Sequence, residues 1–220
     1  MPRPPAADAD PPLLVACALG IERFALRGGR AAVGGNRPEP VVLRTGMGPQ
    51  AAERALAKAL GEGSCTQRSP VIASGFCAGL APGMRPGDVV VAEATRDHRP
   101  GAGDVLCRDN GPLLAALRQR GLTVHSGLLR GCDHVVRGAE RAELHAAGAV
   151  AVDMESAATL FAAQRAGRRP VAAVRVVVDA PEHELVRIGT VRGGISAFKV
   201  LRAVLPVFDE WHRSLLLPRR

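Results

Sequence analysis

The sequence predicts an α/β protein, a single domain with a mostly parallel, twisted central sheet flanked by helices. Three observations predict this class. Short apolar runs typical of buried strands recur along the chain, segments with helical apolar spacing lie between several of them, and a length of 220 residues suits one domain. Alternating strands and helices favour parallel strands, because each helix returns the chain to the same end of the sheet.

The predicted strands are apolar runs rich in β-branched residues. They are Leu13–Ala18, Val41–Thr45, Val71–Ser74, Val89–Ala92, Val124–Leu129, Ala149–Val152 and Val171–Val178. Helices are predicted between several of them, at Pro49–Leu60, Leu113–Gln119, Ala139–Ala146 and Ser156–Ala166. In a parallel sheet the carboxyl ends of the strands share one edge, and ligands bind at that edge.

The two ends of the chain differ from the segment between them. Residues 1–12 are rich in proline and are predicted to form a disordered leader, so the domain is expected to cover residues 13–220. Apolar spacing over residues 195–217 predicts an amphipathic helix, kinked near Pro206. Two interpretations of this helix stay open. It covers the sheet, or its apolar and basic residues contact a membrane or an apolar substrate.

The charge of the chain favours anionic partners. With 29 Lys and Arg against 21 Asp and Glu, the formal net charge is +8 and the pI is about 10.4. Phosphate and anionic lipid fit this charge. Nucleic acid does not fit the rest of the sequence, because it has no helix-turn-helix or zinc-finger pattern and aromatic residues make up only 3%.

Cysteine usage predicts a cytoplasmic protein without a metal site. The cysteines are odd in number and widely spaced and form no Cys-x-x-Cys pair, so neither a disulfide framework nor a zinc site is predicted. No group of His and carboxylate residues has the spacing of metal ligands. The apolar runs are also shorter than the roughly 18 residues of a membrane span.

Carboxylates follow three of the predicted strands. Glu22 comes after the first, Asp153 and Glu155 come after the sixth, and Asp179 comes after the seventh. A single carboxylate at such a place usually caps a helix or lies on the surface. Several of them at one edge of a sheet, beside a glycine-rich loop predicted at Ser74–Gly83, indicate a binding or catalytic site.

The glycine-rich segments suit the close approach of a ligand to backbone N–H groups. Besides Ser74–Gly83, a second glycine turn, Gly46-Met-Gly48, follows the second strand and opens a helix, which suits an anion or hydroxyl groups. Neither segment matches Gly-x-Gly-x-x-Gly or a Walker A loop. This argues against nicotinamide and nucleoside triphosphate cofactors.

The order of these motifs resembles that of a known superfamily. The motifs are Gly46-Met-Gly48, the segment 75–82 followed by Arg85-Pro-Gly-Asp-Val-Val90, the run Asp153-Met-Glu-Ser-Ala-Ala158, and Arg175-x-x-x-Asp179. As a set they resemble the purine nucleoside phosphorylase and methylthioadenosine nucleosidase superfamily from Leu13 to Asp179. The stretches 148–158, 178–183 and 208–212 are similar to its hopanoid-associated phosphorylase branch, which is associated with removing adenine from adenosylhopane.

The resemblance implies three catalytic residues. Asp179 would be the general acid that gives its proton to N7 of the purine, or shares it, as the N-glycosidic bond breaks. Glu22 would orient or deprotonate an attacking water, and Arg175 would lie near the nucleophile. If inorganic phosphate attacks as a co-substrate, Arg175, Arg44 and the turn at Gly46 are the expected anion contacts. No cofactor and no metal are implied.

The resemblance also implies substrate contacts. Glu155 would accept hydrogen bonds from both ribose hydroxyls, and Met154 would lie against the sugar. Backbone groups of Val135 and Val136 would contact the base. The strand-end residues expected at the site are Gly75, Phe76 and Cys77. Two positions depart from the family pattern, since Phe76 replaces a small hydroxyl residue and Val135 replaces an aromatic residue that stacks on adenine.

The sequence therefore predicts an enzyme that cleaves an adenine nucleoside, with adenosylhopane, an amphiphilic substrate, as the expected one. The products would be adenine and ribosylhopane or its phosphate. A homo-oligomer is implied, with peripheral contact at the inner face of the membrane. Two alternatives stay open. One is a soluble methylthioadenosine or S-adenosylhomocysteine nucleosidase, and the other is a noncatalytic nucleoside or lipid-surface binding protein.

Overall fold

A computed structural model of the chain describes residues 10–29, 38–181 and 190–217. The strands are β1 (Leu14–Cys17), β2 (Val41–Arg44), β3 (Val71–Gly79), β4 (Val89–Arg96), β5 (Val105–Leu106), β6 (Val124–Gly131), β7 (Ala149–Asp153) and β8 (Val171–Asp179). The helices are α1 (Gly20–Gly28), α2 (Pro49–Ala59), α3 (Gly111–Gln119), α4 (Ala139–Ala146), α5 (Ser156–Arg165), α6 (Thr190–Ala203) and α7 (Leu205–Leu215). Strand and helix alternate over much of the described chain, as the α/β class requires.

One sheet contains all of these strands, in the order β2-β1-β3-β7-β6-β4-β5, with β8 between β3 and β4. The pairs β1–β2, β1–β3, β3–β8, β4–β6 and β6–β7 are parallel, whereas β3–β7, β4–β5 and β4–β8 are antiparallel. The predicted α/β class is confirmed, with a mixed sheet. Because β8 pairs on both sides, β3, β8, β4, β6 and β7 close into a ring.

Ring closure places the carboxyl ends of three strands together. The long β3 pairs in parallel with β8 along most of its length, and its last residues, Ala78 and Gly79, then pair with Val152 and Ala151 of β7. The ends of β3, β7 and β8 therefore meet, although β7 runs against β3. The expected common edge exists, but it results from closure of the ring and not from an all-parallel sheet.

Two layers of apolar side chains hold the helices to the sheet. One layer packs α1, α3, α6 and α7 against the strands, and its Phe208 and Trp211, both on α7, are fully buried. The other packs α2 and α5 against the strands, and its Leu56 and Leu160 are fully buried. Burial of each large apolar side chain contributes about 1.5–3 kcal/mol, so α7 is an integral part of the core.

The segment predicted as one amphipathic helix over residues 195–217 is two helices. The break falls at Val204, and Pro206 lies in the first turn of α7. Proline suits that place because it has no N–H to donate to the preceding turn and its φ is already helical. The buried face of α7 matches the interpretation of a helix that covers the sheet, whereas α6 leaves Ile195 about half exposed.

Other parts of the prediction need correction or stay untested. The glycine-rich segment 74–83 is not a loop throughout, because β3 continues to Gly79. Neither α1 nor β5 was predicted, since α1 is short with few buried apolar residues and β5 has two residues. Most of the predicted leader, residues 1–9, lies outside the described residues, as do Glu182 and His183 of one family motif. In the part of the chain described, no helix is long and apolar enough to cross a membrane.

Candidate active site

A cavity of about 250 Å³ opens where β3, β7 and β8 end. The residues expected at the site that line it are Glu22, Phe76, Cys77, Val135, Val136, Met154, Glu155 and Asp179. Gly75 and Arg175 lie behind its wall, while Gly46 and Arg44 do not line it. The chain thus brings four carboxylates, Glu22, Asp153, Glu155 and Asp179, from three separate segments to one apolar cavity.

Glu22 is held rigidly by backbone N–H groups. Its Oε2 accepts from the N–H groups of Ala18 and Leu19 at 2.9 and 2.8 Å, and its Oε1 accepts from the N–H of Phe76 at 2.7 Å. Glu22 is the third residue of α1, so part of this arrangement is a helix cap that satisfies donors free of helical partners. The bond from Phe76 links this cap to β3 and fixes the carboxylate at the cavity wall.

Gly75 makes room for two charged groups. A Cβ atom there would lie 2.7 Å from Arg175 Nη1 and closer still to Glu22 Oε1, and its φ is 141°. A side chain is excluded by both the contact and the backbone conformation. Gly75 therefore serves the approach of Glu22 and Arg175 to each other, and not the approach of a ligand to the backbone.

Arg175 is fully buried in a polar cluster behind the cavity. Its Nη2 lies 2.7 Å from Asp153 Oδ2, and its Nε donates to Ser156 Oγ at 2.8 Å. Burial opposes the charge of Arg175, but the carboxylates of Asp153, Glu155 and Glu22 together raise its pKa above the ordinary value. The guanidinium is thus a fixed positive charge beneath the carboxylates of the site.

Glu155 ties β7 to the turn after β2. Its Oε1 accepts from the N–H of Gly48 at 2.9 Å, so the turn Gly46-Met-Gly48 contributes a backbone donor and places the exposed Met47 at the cavity mouth. Burial raises the pKa of Glu155, and Arg175 partly offsets the rise. The side chain is a restrained hydrogen-bond acceptor beside Met154, as the resemblance implies for a sugar site.

The loop between β6 and α4 lines the cavity with His134, Val135 and Val136. Val136 is buried and Val135 is exposed. His134 Nδ1 lies 2.8 Å from Asp133 Oδ1, and its Nε2 lies 2.9 Å from Glu140 Oε1. These hydrogen bonds raise the pKa of His134. His134 therefore ties the loop to α4.

Asp179 has a partner that was not predicted. Arg141 of α4 donates from Nη2 to Asp179 Oδ2 and from Nε to the carbonyl oxygen of Val136 at 3.3 Å. Both side chains are buried, and Arg141 Nη1 and Asp179 Oδ1 have no hydrogen-bond partner. In sequence, Arg141 looks like a surface charge on a polar helix. Only the packing of α4 against the cavity shows that Arg141 is not a surface charge.

The buried thiols do not have the properties of nucleophiles. Burial raises the pKa of Cys77 well above its ordinary value and that of Cys132 to about 11. Both are neutral thiols near pH 7, whereas the thiolate is the nucleophilic form. Over the described ranges, no group of His, Cys, Asp and Glu residues could hold a metal ion.

Comparison with known families identifies the group to which this fold and cavity belong. Residues 12–206 match the family model described as the phosphorylase superfamily. The chain belongs to this superfamily. Membership confirms the predicted fold class and the prediction of an enzyme of the nucleoside phosphorylase or nucleosidase type. No curated protein matches the chain by sequence. The similarity to the hopanoid-associated branch stays a prediction.

Solved structures with the same fold include bacterial nucleosidases. A methylthioadenosine/S-adenosylhomocysteine nucleosidase from Neisseria meningitidis aligns with a TM-score of 0.73 and 21% identity over 93% of this chain and 100% of its own. An S-adenosylhomocysteine nucleosidase from Streptococcus pyogenes aligns with a TM-score of 0.75 and 17% identity, over 96% of this chain and 100% of its own. A methylthioadenosine/S-adenosylhomocysteine nucleosidase from Campylobacter jejuni aligns with a TM-score of 0.74 and 14% identity, over 91% of this chain and 99% of its own. These alignments show a common fold.

Proposed function

We propose that this member of the phosphorylase superfamily cleaves the N-glycosidic bond of an adenine nucleoside. The observation that carries the proposal is the convergence of Glu22, Glu155 and Asp179 on one apolar cavity. Glu155 and Met154 would hold the ribose, and Val136 and Asp179 would face the base. The names of similar structures support this choice, since they are nucleosidases of methylthioadenosine and S-adenosylhomocysteine, some solved with nucleoside analogues.

Two of the carboxylates act on opposite sides of the N-glycosidic bond, one on the side of the sugar and one on the side of the base. The electron pair of the bond between C1′ and N9 leaves with the base, and a cation-like sugar develops. A water oxygen bonds to C1′ and gives its proton to Glu22, whose oxygens accept backbone N–H groups and are fixed in place. The base takes up one proton, which Asp179 supplies at N7 in the role predicted for it.

Water fits the cavity better as the nucleophile than phosphate does. The cationic groups expected to contact phosphate do not face the cavity: Arg175 is buried beside Asp153, and Arg44 is exposed outside the lining. In the proposed binding mode, the charged groups beside the sugar would be the carboxylates of Glu22 and Glu155. Two carboxylates disfavour a phosphate dianion by Coulomb repulsion, so we propose hydrolysis.

The substrate would carry a large apolar group on its sugar. A groove of about 580 Å³ shares Phe76 and Val178 with the cavity and continues along α6. Its other lining residues are Ile21, Gly194, Ile195, Phe198, Lys199 and Arg202. A polycyclic chain leaving the ribose could lie there, with the basic residues and exposed Phe24 at a membrane surface. Adenosylhopane has this chemistry, and the peripheral contact and the homo-oligomer belong to the same proposal.

A soluble methylthioadenosine-type nucleosidase is the second candidate, because the structural neighbours carry that name. The double variant Ile195→Ser/Phe198→Ser separates the two. For adenine release from adenosylhopane in mixed micelles we expect kcat/KM to fall about a hundredfold or more, because removing each of the two large apolar side chains from the groove costs about 1.5–3 kcal/mol of substrate binding. Release from methylthioadenosine should change little.

The matched control is Leu106→Ser, which alters an exposed apolar residue on β5, outside both the groove and the cavity. It should leave both reactions unchanged. An equal loss on the two substrates in the double variant would argue against a lipid groove. Binding without turnover on either substrate would favour the noncatalytic alternative.

A further inference from the structure

We infer that a groove between α1 and β2 binds the phosphate headgroups of an anionic bilayer, so that α1 lies along the membrane surface. The groove has a volume of about 470 Å³ and is lined by Arg23, Arg27 and Arg44 together with residues 41–43. It shares no lining residue with the cavity or with the groove along α6. The inference deepens the membrane contact of the proposed function and rests on it, because a lipid nucleoside has to be taken from a bilayer.

The three arginines of this groove have no anionic partner within residues 10–29, 38–181 and 190–217. None of them belongs to an ion pair there, and Arg23 Nε is buried without a hydrogen-bond partner. Guanidinium groups that line one groove without a counter-ion repel one another, so an anion that joins them relieves this repulsion. Phosphate suits arginine because its oxygens can accept two parallel N–H bonds from one guanidinium.

The charges around the groove have the same sign. Glu22 is the only acidic residue of α1, β2 and α6, and it is buried at the cavity wall. The other charged residues of these three elements are therefore basic, and two of them, Lys199 and Arg202, line the groove along α6. A surface of this kind is attracted to the negative potential of an anionic leaflet.

Exposed apolar side chains lie beside the arginines. Phe24 and Ile21 of α1 are 70% and 52% exposed. The ring of Phe24 stacks on that of Phe198 of α6, with 6.2 Å between the ring centroids. Ile21 lines the groove along α6, whereas Arg23 and Arg27 line the groove along β2. The exposed face of α1 thus joins cationic and apolar side chains, as in helices that lie in a membrane interface.

An anionic bilayer fits this face better than two other polyvalent partners. In an isologous contact with a second copy of the chain, the arginines of both copies would come together, and like charges repel. A nucleic acid would pair with the arginines through its phosphates, but it has no apolar layer for Ile21 and Phe24. A bilayer offers phosphate headgroups to the arginines and acyl chains to the apolar side chains.

The test is co-sedimentation of the full chain, without nucleoside, with vesicles of phosphatidylcholine that contain or lack phosphatidylglycerol. Wild type should bind the anionic vesicles about tenfold or more tightly than the neutral ones, and added salt should reduce the preference. Arg23→Gln/Arg27→Gln should lower the affinity for anionic vesicles about tenfold or more. Phe24→Ser should also weaken binding at high salt, because salt does not screen an apolar contact.

The matched control is Arg54→Gln/Lys58→Gln, which removes two exposed cations at the same spacing on α2, in the other layer of helices. It should change vesicle binding little. An equal loss in the two double variants would overturn the inference, because net charge alone would then attract the chain. Tighter binding to a short RNA duplex than to anionic vesicles would also overturn it. A wild type that binds anionic vesicles but releases no adenine from any nucleoside would support this surface and contradict the proposed function.

Discussion

Replacing Asp179 with Asn is expected to lower kcat for adenine release by about a hundredfold or more while the fold is retained. The amide keeps the size of the side chain and one oxygen, but it removes the charge that pairs with buried Arg141. The proposed cleavage requires the proton that this carboxyl group supplies to the base. Chromatographic measurement of adenine under saturating nucleoside gives kcat, and circular dichroism checks the fold.

The control for this substitution is Asp209→Asn on α7. Asp209 is also buried, and its Oδ2 lies 2.9 Å from Nη2 of Arg213. Unlike Asp179, it does not line the cavity. It should alter thermal stability without altering kcat. If Asp179→Asn turned over at a near-normal rate, Asp179 would have no part in the chemistry.

Gly75→Ala should inactivate the enzyme and destabilise it by about 3 kcal/mol, since overpacking and a positive φ each cost about 1–3 kcal/mol. The new methyl group would overlap Glu22 and Arg175, both buried. Whichever group moves, Glu22 loses the position that three backbone N–H groups hold. Urea unfolding measures the loss of stability, and adenine release measures the loss of activity.

Gly103→Ala is the matched substitution, because a Cβ at Gly103 meets no atom within 4 Å and its φ is not in the positive range. It should be close to neutral in both measurements. A fully active Gly75→Ala enzyme would contradict the placement of Glu22 as the group that handles the nucleophile. Retained stability with lost activity would still agree with it, if the neighbouring side chains shift to admit the methyl group.

Local sequence patterns predicted the strands because a strand buried on both faces is predominantly apolar. For that reason the runs at 71–74, 149–152 and 171–178 all lie within observed strands. The carboxylates after the runs 149–152 and 171–178 could be expected near one another because the carboxyl ends of parallel strands share one edge of a sheet. What the pattern does not contain is the partner of each strand, so closure of the ring could not be anticipated.

Strand β3 illustrates a second reason for a wrong prediction. Glycine usually marks a turn, so the segment 74–83 was predicted to be a loop. Gly75 instead stays in the strand, opposite Arg175 of β8, because two charged side chains need the space of its missing Cβ. That requirement comes from residues distant in sequence, Glu22 and Arg175.

The predicted residues that do not line the cavity, and the arginine that was not predicted, depend on the same kind of distant contact. Arg44 is the last residue of β2 and Gly46 follows it, yet neither lines the cavity, which the same turn reaches only through Met47. Arg141 was missed because its role depends on how α4 packs against the loop at Val136 and the end of β8. Arginine on a polar helix is usually a solvated charge, and no local signal in the sequence distinguishes a buried arginine from a solvated one.

The most direct test of the central claim is the release of free adenine by the purified wild-type chain, followed by chromatography, from adenosylhopane and from methylthioadenosine, each with and without inorganic phosphate. The account predicts adenine from the lipid nucleoside at the same rate in both conditions, with a sugar product that carries no phosphate. Release only from methylthioadenosine would replace the lipid substrate by a small one, and release that requires phosphate would contradict hydrolysis. No adenine from either nucleoside would contradict the account.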